Sequence, residues 1–370
     1  MTPQLTWPQV LAWRLERHLV EPAAGSDPVM IARRLCGVQA QVASSAELAL
    51  AVRSSAPRAG AVDEALWEER TLVKTWLMRG TLHLVPADEL ATYCATLGAL
   101  RFWEKGSWQR GHGVTAAEVE AIIEAVPQAL KGRSLTREEL VEAVIEVTGD
   151  GHLRQALTSG WGALLKPLSF LGELCYGPPR DGRVTFARPA DWLAGWPDAL
   201  PSAEKGGGSL VRAFLGAHGP ATPEMFDSWL LRGAARKAVL RGWFRDLAPE
   251  LAEVEVDGMP MVTLAEHVDA LAAARPSEAV HLLPGFDQYV LGAPRDLEAL
   301  LPAVARAKVS RAAGWISPVV VHRGRVAGVW EVKDGRLAVE LVDPVPGGAL
   351  EAAAGRIAAL LGRPAELVVG

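Results

Sequence analysis

Leu72-Val73-Lys74-Thr75-Trp76-Leu77-Met78, then Arg79-Gly80, then Thr81-Leu82-His83-Leu84-Val85: two β-prone runs separated by a glycine-containing turn read as a hairpin. What precedes them is helical. Residues 5–20 set Leu5, Val10, Leu11, Leu15 and Leu19 at helical spacing. Ser26-Asp27-Pro28 signals a second helix start, with Ser26 as cap and Pro28 in the first turn, where a missing N–H costs nothing. Ser44 or Ser45 can cap a third helix, and 62–69 reads as a short fourth. The first unit is therefore helices followed by a two-stranded wing.

That order decides the fold because it recurs. Thr115 caps a helix carrying Val119, Ile122, Ile123 and Val126, and Thr136-Arg137-Glu138-Glu139 is a capping box opening another through Val147. Leu153–Leu171 reads as a third helix, interrupted at Pro167, before strands at Leu174-Cys175-Tyr176 and Arg183–Phe186. Lys205-Gly206-Gly207-Gly208 reads as a linker. Helices at Ser209–Ala217, from Thr222-Pro223-Glu224 and at 233–242 then lead to Val254-Glu255-Val256 and Met261–Leu264, joined across Asp257-Gly258, a strong hairpin turn. From about 279 the pattern is β-rich. His281-Leu282-Leu283-Pro284 begins a strand, and Trp315–Val321, Val326–Val332 and Leu337–Val342 read as three antiparallel strands before a helix at 348–361 and a strand at Glu366–Val369. The expected fold is α+β. Three tandem winged-helix units (1–112, 113–204 and 205–278) precede a C-terminal β-rich region (279–370), and winged helices elaborate the helix-turn-helix that places a helix or wing on DNA.

At 370 residues the chain is long enough for several domains or one large composite, and 49% hydrophobic with 22% charged residues describes an ordinary folded protein. No apolar run reaches the roughly 18 residues that a membrane span needs. Met1-Thr2-Pro3-Gln4 shows no basic-then-apolar signal, so a cytoplasmic location is expected. Cys36, Cys94 and Cys175 are far apart in apolar surroundings and read as buried thiols. The eight histidines lack metal-ligand spacing, so no metal or other cofactor is expected. A net charge of −5 argues against bulk adhesion to nucleic acid but leaves room for a local basic surface. No heptad or other dimer signal is visible, so a monomer is expected.

Between the second and third helices lies Gly37-Val38-Gln39-Ala40-Gln41. In an extended linker, residues two apart point the same way. Gln39 and Gln41 can then hold a water or polar ligand between two uncharged amides, or simply satisfy loose backbone groups. For DNA contact the tip His322-Arg323-Gly324-Arg325 clusters basic groups on what reads as a protruding ribbon, extended by Arg306, Lys308 and Arg311 upstream. Arg33 and Arg34, one turn before the glutamines, can reach flanking phosphates or form a solvated face. Lys74, Arg79 and His83 on the first hairpin are equally ambiguous. Asp287 is a rival catalytic acid or a capping residue after Pro284-Gly285.

Three stretches resemble the AlkZ/YcaQ family of bacterial winged-helix DNA glycosylases: Gly37–Gln41, Thr75–Pro86, and Leu282-Leu283-Pro284-Gly285-Phe286-Asp287-Gln288-Tyr289-Val290-Leu291-Gly292. The resemblance implies a concave body embracing double-stranded DNA, and catalysis by a Gln-Φ-Gln motif at Gln39 and Gln41 in the AlkZ-like branch, where Ala40 is a loose fit. It also implies a functional hairpin at 322–325. The implied substrates are N7-alkylguanine adducts and interstrand crosslinks of azinomycin type, removed in self-resistance. A covalently tethered base cannot rotate freely out of the helix, so an open, groove-facing site is expected. The competing expectation is a non-enzymatic transcriptional regulator.

Overall fold

The computed structural model describes residues 2–21, 24–158 and 162–370. Two packing units form, one from Met1–Ala61, Val211–Ala234 and Phe244–Gly370, the other from Val62–Leu210 and Ala235–Trp243. The secondary structure is a mixture of helices and mostly antiparallel sheets, an α+β fold. No helix among the described residues is long and apolar enough to cross a membrane.

In the unit containing Val62–Leu210, Leu72–Trp76 pairs antiparallel with Leu82–Pro86 as expected, with Thr75 opposite His83. Trp76 is buried, edge-on to Tyr176 at 5.3 Å and stacked on Phe186 at 6.0 Å, which ties this hairpin to the next one. That second hairpin, Cys175–Arg180 with Arg183–Ala187, also takes Leu135–Thr136 as a third strand. The capping boxes form at Thr115 with Glu118 and at Thr136 with Glu139. The expected helix over Leu153–Leu171 is resolved into pieces at Leu153–Thr158, Ala163–Leu165 and Lys166–Phe170, with 159–161 outside the described residues.

The linker reading of Lys205–Gly208 is corrected. These residues lie inside a helix spanning Ala203–His218. A Cβ on Gly207 would overlap the indole of Trp243, and one on Gly206 would sit 2.9 Å from the Ala95 methyl. Gly206 and Gly207 serve close packing, not flexibility.

In the other unit, Gln4–Leu5 runs parallel to Leu251–Val256, which pairs antiparallel with Met259–Leu264. A five-stranded sheet follows in the order Val280–Leu283, Val319–His322, Arg325–Lys333, Arg336–Leu341, Glu366–Val369, the last pair parallel. Its core packs Leu282, Val319, Val321, Val329 and Trp330 with Leu350 and Ile357 of helix Gly347–Leu360. The strand expected from Trp315 begins only at Val319. Pro318 brings no N–H to a ladder, and Ala313 and Gly314 turn the chain with φ of 56° and 77°. Helix Pro28–Arg34 is capped by Asp27, whose side chain accepts from the Met30 N–H at 2.8 Å, and not by Ser26. Helix Ala43–Ala51 has Val42 at its N-cap and no side-chain cap, so neither Ser44 nor Ser45 serves.

The helical glycines give a paired test. Gly207→Ala should lose about 1–3 kcal/mol through overpacking against Trp243. Gly208, whose Cβ would meet open space, should gain up to about 1 kcal/mol from helix propensity when changed to Ala. Urea unfolding reads both, and equal effects at the two positions would contradict the packing role.

Candidate active site

The glutamine motif lies where a left-handed turn sets one helix against the next. Helix Pro28–Arg34 ends at Leu35. Cys36 and Gly37 take φ of 56° and 90°, and Val38–Gln39 runs as a short extended strand before helix Ala43–Ala51. Val38 and Ala40 are fully buried, Gln39 is 6% exposed, and Gln41 is half-buried. The motif thus presents two neutral amides at the edge of a packed interior.

What fixes helix Ala43–Ala51 is at its two ends. Beyond its C-terminus, Arg53 is fully buried and donates to the Asp287 carboxylate through both terminal nitrogens, at 2.8 and 2.7 Å. Its remaining donors reach the carbonyls of His18 at 2.8 Å and Ala49 at 2.9 Å. Such a pair is tolerated in an apolar interior only when its geometry is good and most of its other hydrogen-bonding capacity is satisfied; here four of the five guanidinium N–H groups donate. At the N-terminal end, Gly285 approaches closely: a Cβ there would lie 2.9 Å from the Ile316 carbonyl and 3.6 Å from the Ser45 hydroxyl. Asp287 therefore anchors the C-terminal side of the helix that follows Gln41, while Gly285 lies near its first turn.

Asp287 is the N-cap of Gln288–Leu291 and accepts from the Tyr289 N–H at 2.8 Å while holding Arg53. With its side chain 0% exposed, it has the geometry of a brace. Arg53 was not singled out in the sequence, where one arginine after Val52 reads as a solvated helix end. A cation directly following an apolar run was the only available signal.

The expected DNA contacts fall in several places. Arg33 is exposed and Arg34 half-buried in the last turn before the motif. Lys74, Arg79 and His83 belong to the other packing unit. Lys74 lies 5.5 Å from the Tyr176 ring centroid, and Arg79 turns the hairpin with φ of 57°. His83 is fully buried, and burial, helped by the Arg79 charge, lowers its pKa to about 3.

The ribbon at 322–325 does not protrude, which corrects the expectation. Gly324 is buried, its carbonyl accepts from the Tyr289 hydroxyl at 2.6 Å, and a Cβ there would meet Leu11 at 2.6 Å. Arg323 donates through Nε to Glu278 at 2.8 Å, His322 lies 3.3 Å from the same carboxylate, and Arg325 is 4.0 Å from Asp343. These side chains rim a cavity of about 470 Å³ floored by Trp7, Pro8 and Leu11. Upstream, Arg306 is paired with Glu298 and Lys308 with Glu340. The three cysteines are free and buried, as expected. Burial raises the thiol pKa of Cys94 and Cys175.

Comparison with known proteins places this geometry in context. The family model described as DNA glycosylase AlkZ-like matches residues 32–363. The interstrand DNA cross-link repair glycosylase of Streptomyces sahachiroi is 44% identical over 334 residues, 90% of each chain. The solved structure of the Streptomyces sahachiroi DNA glycosylase AlkZ aligns with a TM-score of 0.95 at 41% identity, covering 99% of this chain and 100% of that one.

Two measurements test the brace and the buried histidines. Arg53→Met and Asp287→Asn should each lose about 3–5 kcal/mol in urea unfolding, because each strands a buried polar partner, and Arg53→Met/Asp287→Leu should recover most of it. Single losses under about 1 kcal/mol would contradict the brace. Burial also keeps His281 neutral, with its pKa lowered to about 4, and lowers that of His18 well below 6.5. In the unfolded chain these histidines and His83 take up protons near pH 6.5, so the unfolded state binds more protons below that pH. The Tm should fall steadily from pH 6.5 to about 5, above the range where carboxylates titrate. A constant Tm there would contradict it.

Proposed function

The chain belongs to the AlkZ-like family of DNA glycosylases, and from that premise we propose that it hydrolyses the N-glycosidic bond of N7-alkylated purines and unhooks interstrand crosslinks, with Gln39 and Gln41 as the catalytic pair. The observation that carries the reading is the placement of two neutral amides at a helix junction, with Asp287, the one acid inside the family-like motifs, already committed to Arg53. The crosslink-repair activity named for the Streptomyces relative supports the substrate class. The helix-plus-hairpin segments are read as winged helices that contact double-stranded DNA, by a monomer acting in the cytoplasm. Azinomycin-type crosslinks are the proposed target in self-resistance.

The chemistry explains why amides suffice. Most glycoside hydrolases need one carboxyl to protonate the leaving group and another to act on the sugar or on water. An N7-alkylguanine already carries positive charge, so when the C1′–N9 bond breaks, its electron pair neutralises the ring and a neutral base departs. What remains is to hold a water beside the oxocarbenium-like C1′. The side-chain carbonyls of Gln39 and Gln41 accept hydrogens from that water and aim its lone pair at C1′. The water oxygen forms the new C1′–O bond, and the released proton passes to solvent. Positioning plus a few directed dipoles supply several kcal/mol of transition-state stabilisation. No covalent intermediate is involved. The open, groove-facing site that a tethered base requires is part of the same reading.

Gln39→Ala and Gln41→Ala should each reduce base release from a duplex containing N7-methylguanine by roughly 100-fold or more, with DNA affinity within about twofold of wild type. Undiminished release in single-turnover assays by either variant would remove that residue from the mechanism.

A further inference from the structure

Trp315 is the one exposed tryptophan among those described, at 46%. It closes a short loop, Arg311-Ala312-Ala313-Gly314-Trp315, that is exposed throughout. The loop is built rather than loose. Ser310 bridges Ile316 across its base, Arg311 N–H donates to the Trp315 carbonyl at 2.9 Å, and the Ser317 hydroxyl donates to the Lys308 carbonyl at 2.8 Å. Its turn is made by residues without bulk, Ala313 and Gly314, both at positive φ. The Trp315 ring meets Phe286 edge-on, with centroids 5.1 Å apart and planes at 76°. Phe286 itself is held at φ of 59°, a strained conformation for a bulky residue, between Gly285 and Asp287.

Those neighbours connect the loop to the helix that follows the glutamine motif. Gly285 packs on the Ile316 carbonyl at one side and approaches Ser45 at the other, and Ser45 lies one turn into the helix that follows Gln41. The cations around the loop also differ from one another. Arg306, Lys308 and Arg323 each hold a carboxylate. Arg311 is exposed, and its one side-chain hydrogen bond among the described residues, Nε to the Lys308 carbonyl at 3.3 Å, leaves the terminal nitrogens for a phosphate.

We propose that this loop reads the lesion: Trp315 presents its indole to the cationic N7-alkylpurine, and Arg311 holds a neighbouring phosphate of the same duplex. The inference rests on the N7-alkylpurine reading above. A delocalised cation gains more over an indole than the neutral parent base does, so the contact selects damaged from undamaged purine. An exposed indole on a rigid, narrow support is also suited to stack on a base that has lost its neighbour. Arg311 contributes affinity without discrimination, since a phosphate carries no information about the base.

The test uses duplexes with a single 2′-fluoro-stabilised N7-methylguanine, its neutral analogue 7-methyl-7-deazaguanine, or guanine. Wild type should bind the cationic lesion on the order of tenfold more tightly than the neutral analogue, and Trp315→Ala should abolish that preference while Trp315→Phe keeps part of it. Arg311→Ala should weaken binding to all three duplexes and reduce the salt slope by about one. Ala313→Asp at the exposed turn, which leaves the Phe286 contact intact, should weaken binding to all three and covers the case in which Trp315→Ala does not fold. An unchanged cation preference in a folded Trp315→Ala, or unchanged affinity in Ala313→Asp, overturns the inference. Loss of base release by wild type itself on unmodified N7-methylguanine duplex would overturn the substrate reading instead.

Discussion

The buried Arg53–Asp287 pair is the constraint on which the site depends. Removing two full charges from water costs several kcal/mol per ion, and that cost is offset because both carboxylate oxygens and four of the five guanidinium N–H groups are used. Arg53 also binds the carbonyls of His18 and Ala49, and Asp287 also caps the helix beginning at Gln288. One interaction thus joins the end of the helix after Gln41, the end of the first helix and the turn following the strand Val280–Leu283. An apolar pair of equal volume would hold these elements together less selectively, since it would tolerate sliding that a two-pronged ion pair does not.

This arrangement separates two tasks that carboxylates often combine. Asp287 is committed to the scaffold, and in the proposed mechanism the neutral amides of Gln39 and Gln41 act on the water. Amides orient water without strengthening the hold on the ground state. The division suits a leaving group that needs no proton.

The sequence was most readable where local chemistry decides structure. The cap at Thr115, the capping box at Thr136, the Asp257-Gly258 turn and the hairpin around Arg79-Gly80 follow from short-range rules and are present in the structure. The position of Gln39 and Gln41 between two helices was legible for the same reason. Misreadings arose where a distant partner overrides local preference. Gly206 and Gly207 look like a linker until Ala95 and Trp243 arrive at the helix surface. His322–Arg325 looks like a protruding ribbon until the Tyr289 hydroxyl takes the Gly324 carbonyl. Arg53 and Asp287 are 234 positions apart, and no periodicity reports such a pairing.

The central claim is that hydrolysis here proceeds without any titrating catalytic group. It is tested most directly by the pH dependence of the single-turnover rate on N7-methylguanine duplex, with DNA at saturating concentration. The account predicts a nearly level rate between about pH 6 and 9, since neither amide ionises and the base is already charged. A bell-shaped profile, or a steep limb within that range, would place a carboxylate or histidine in the reaction and contradict it.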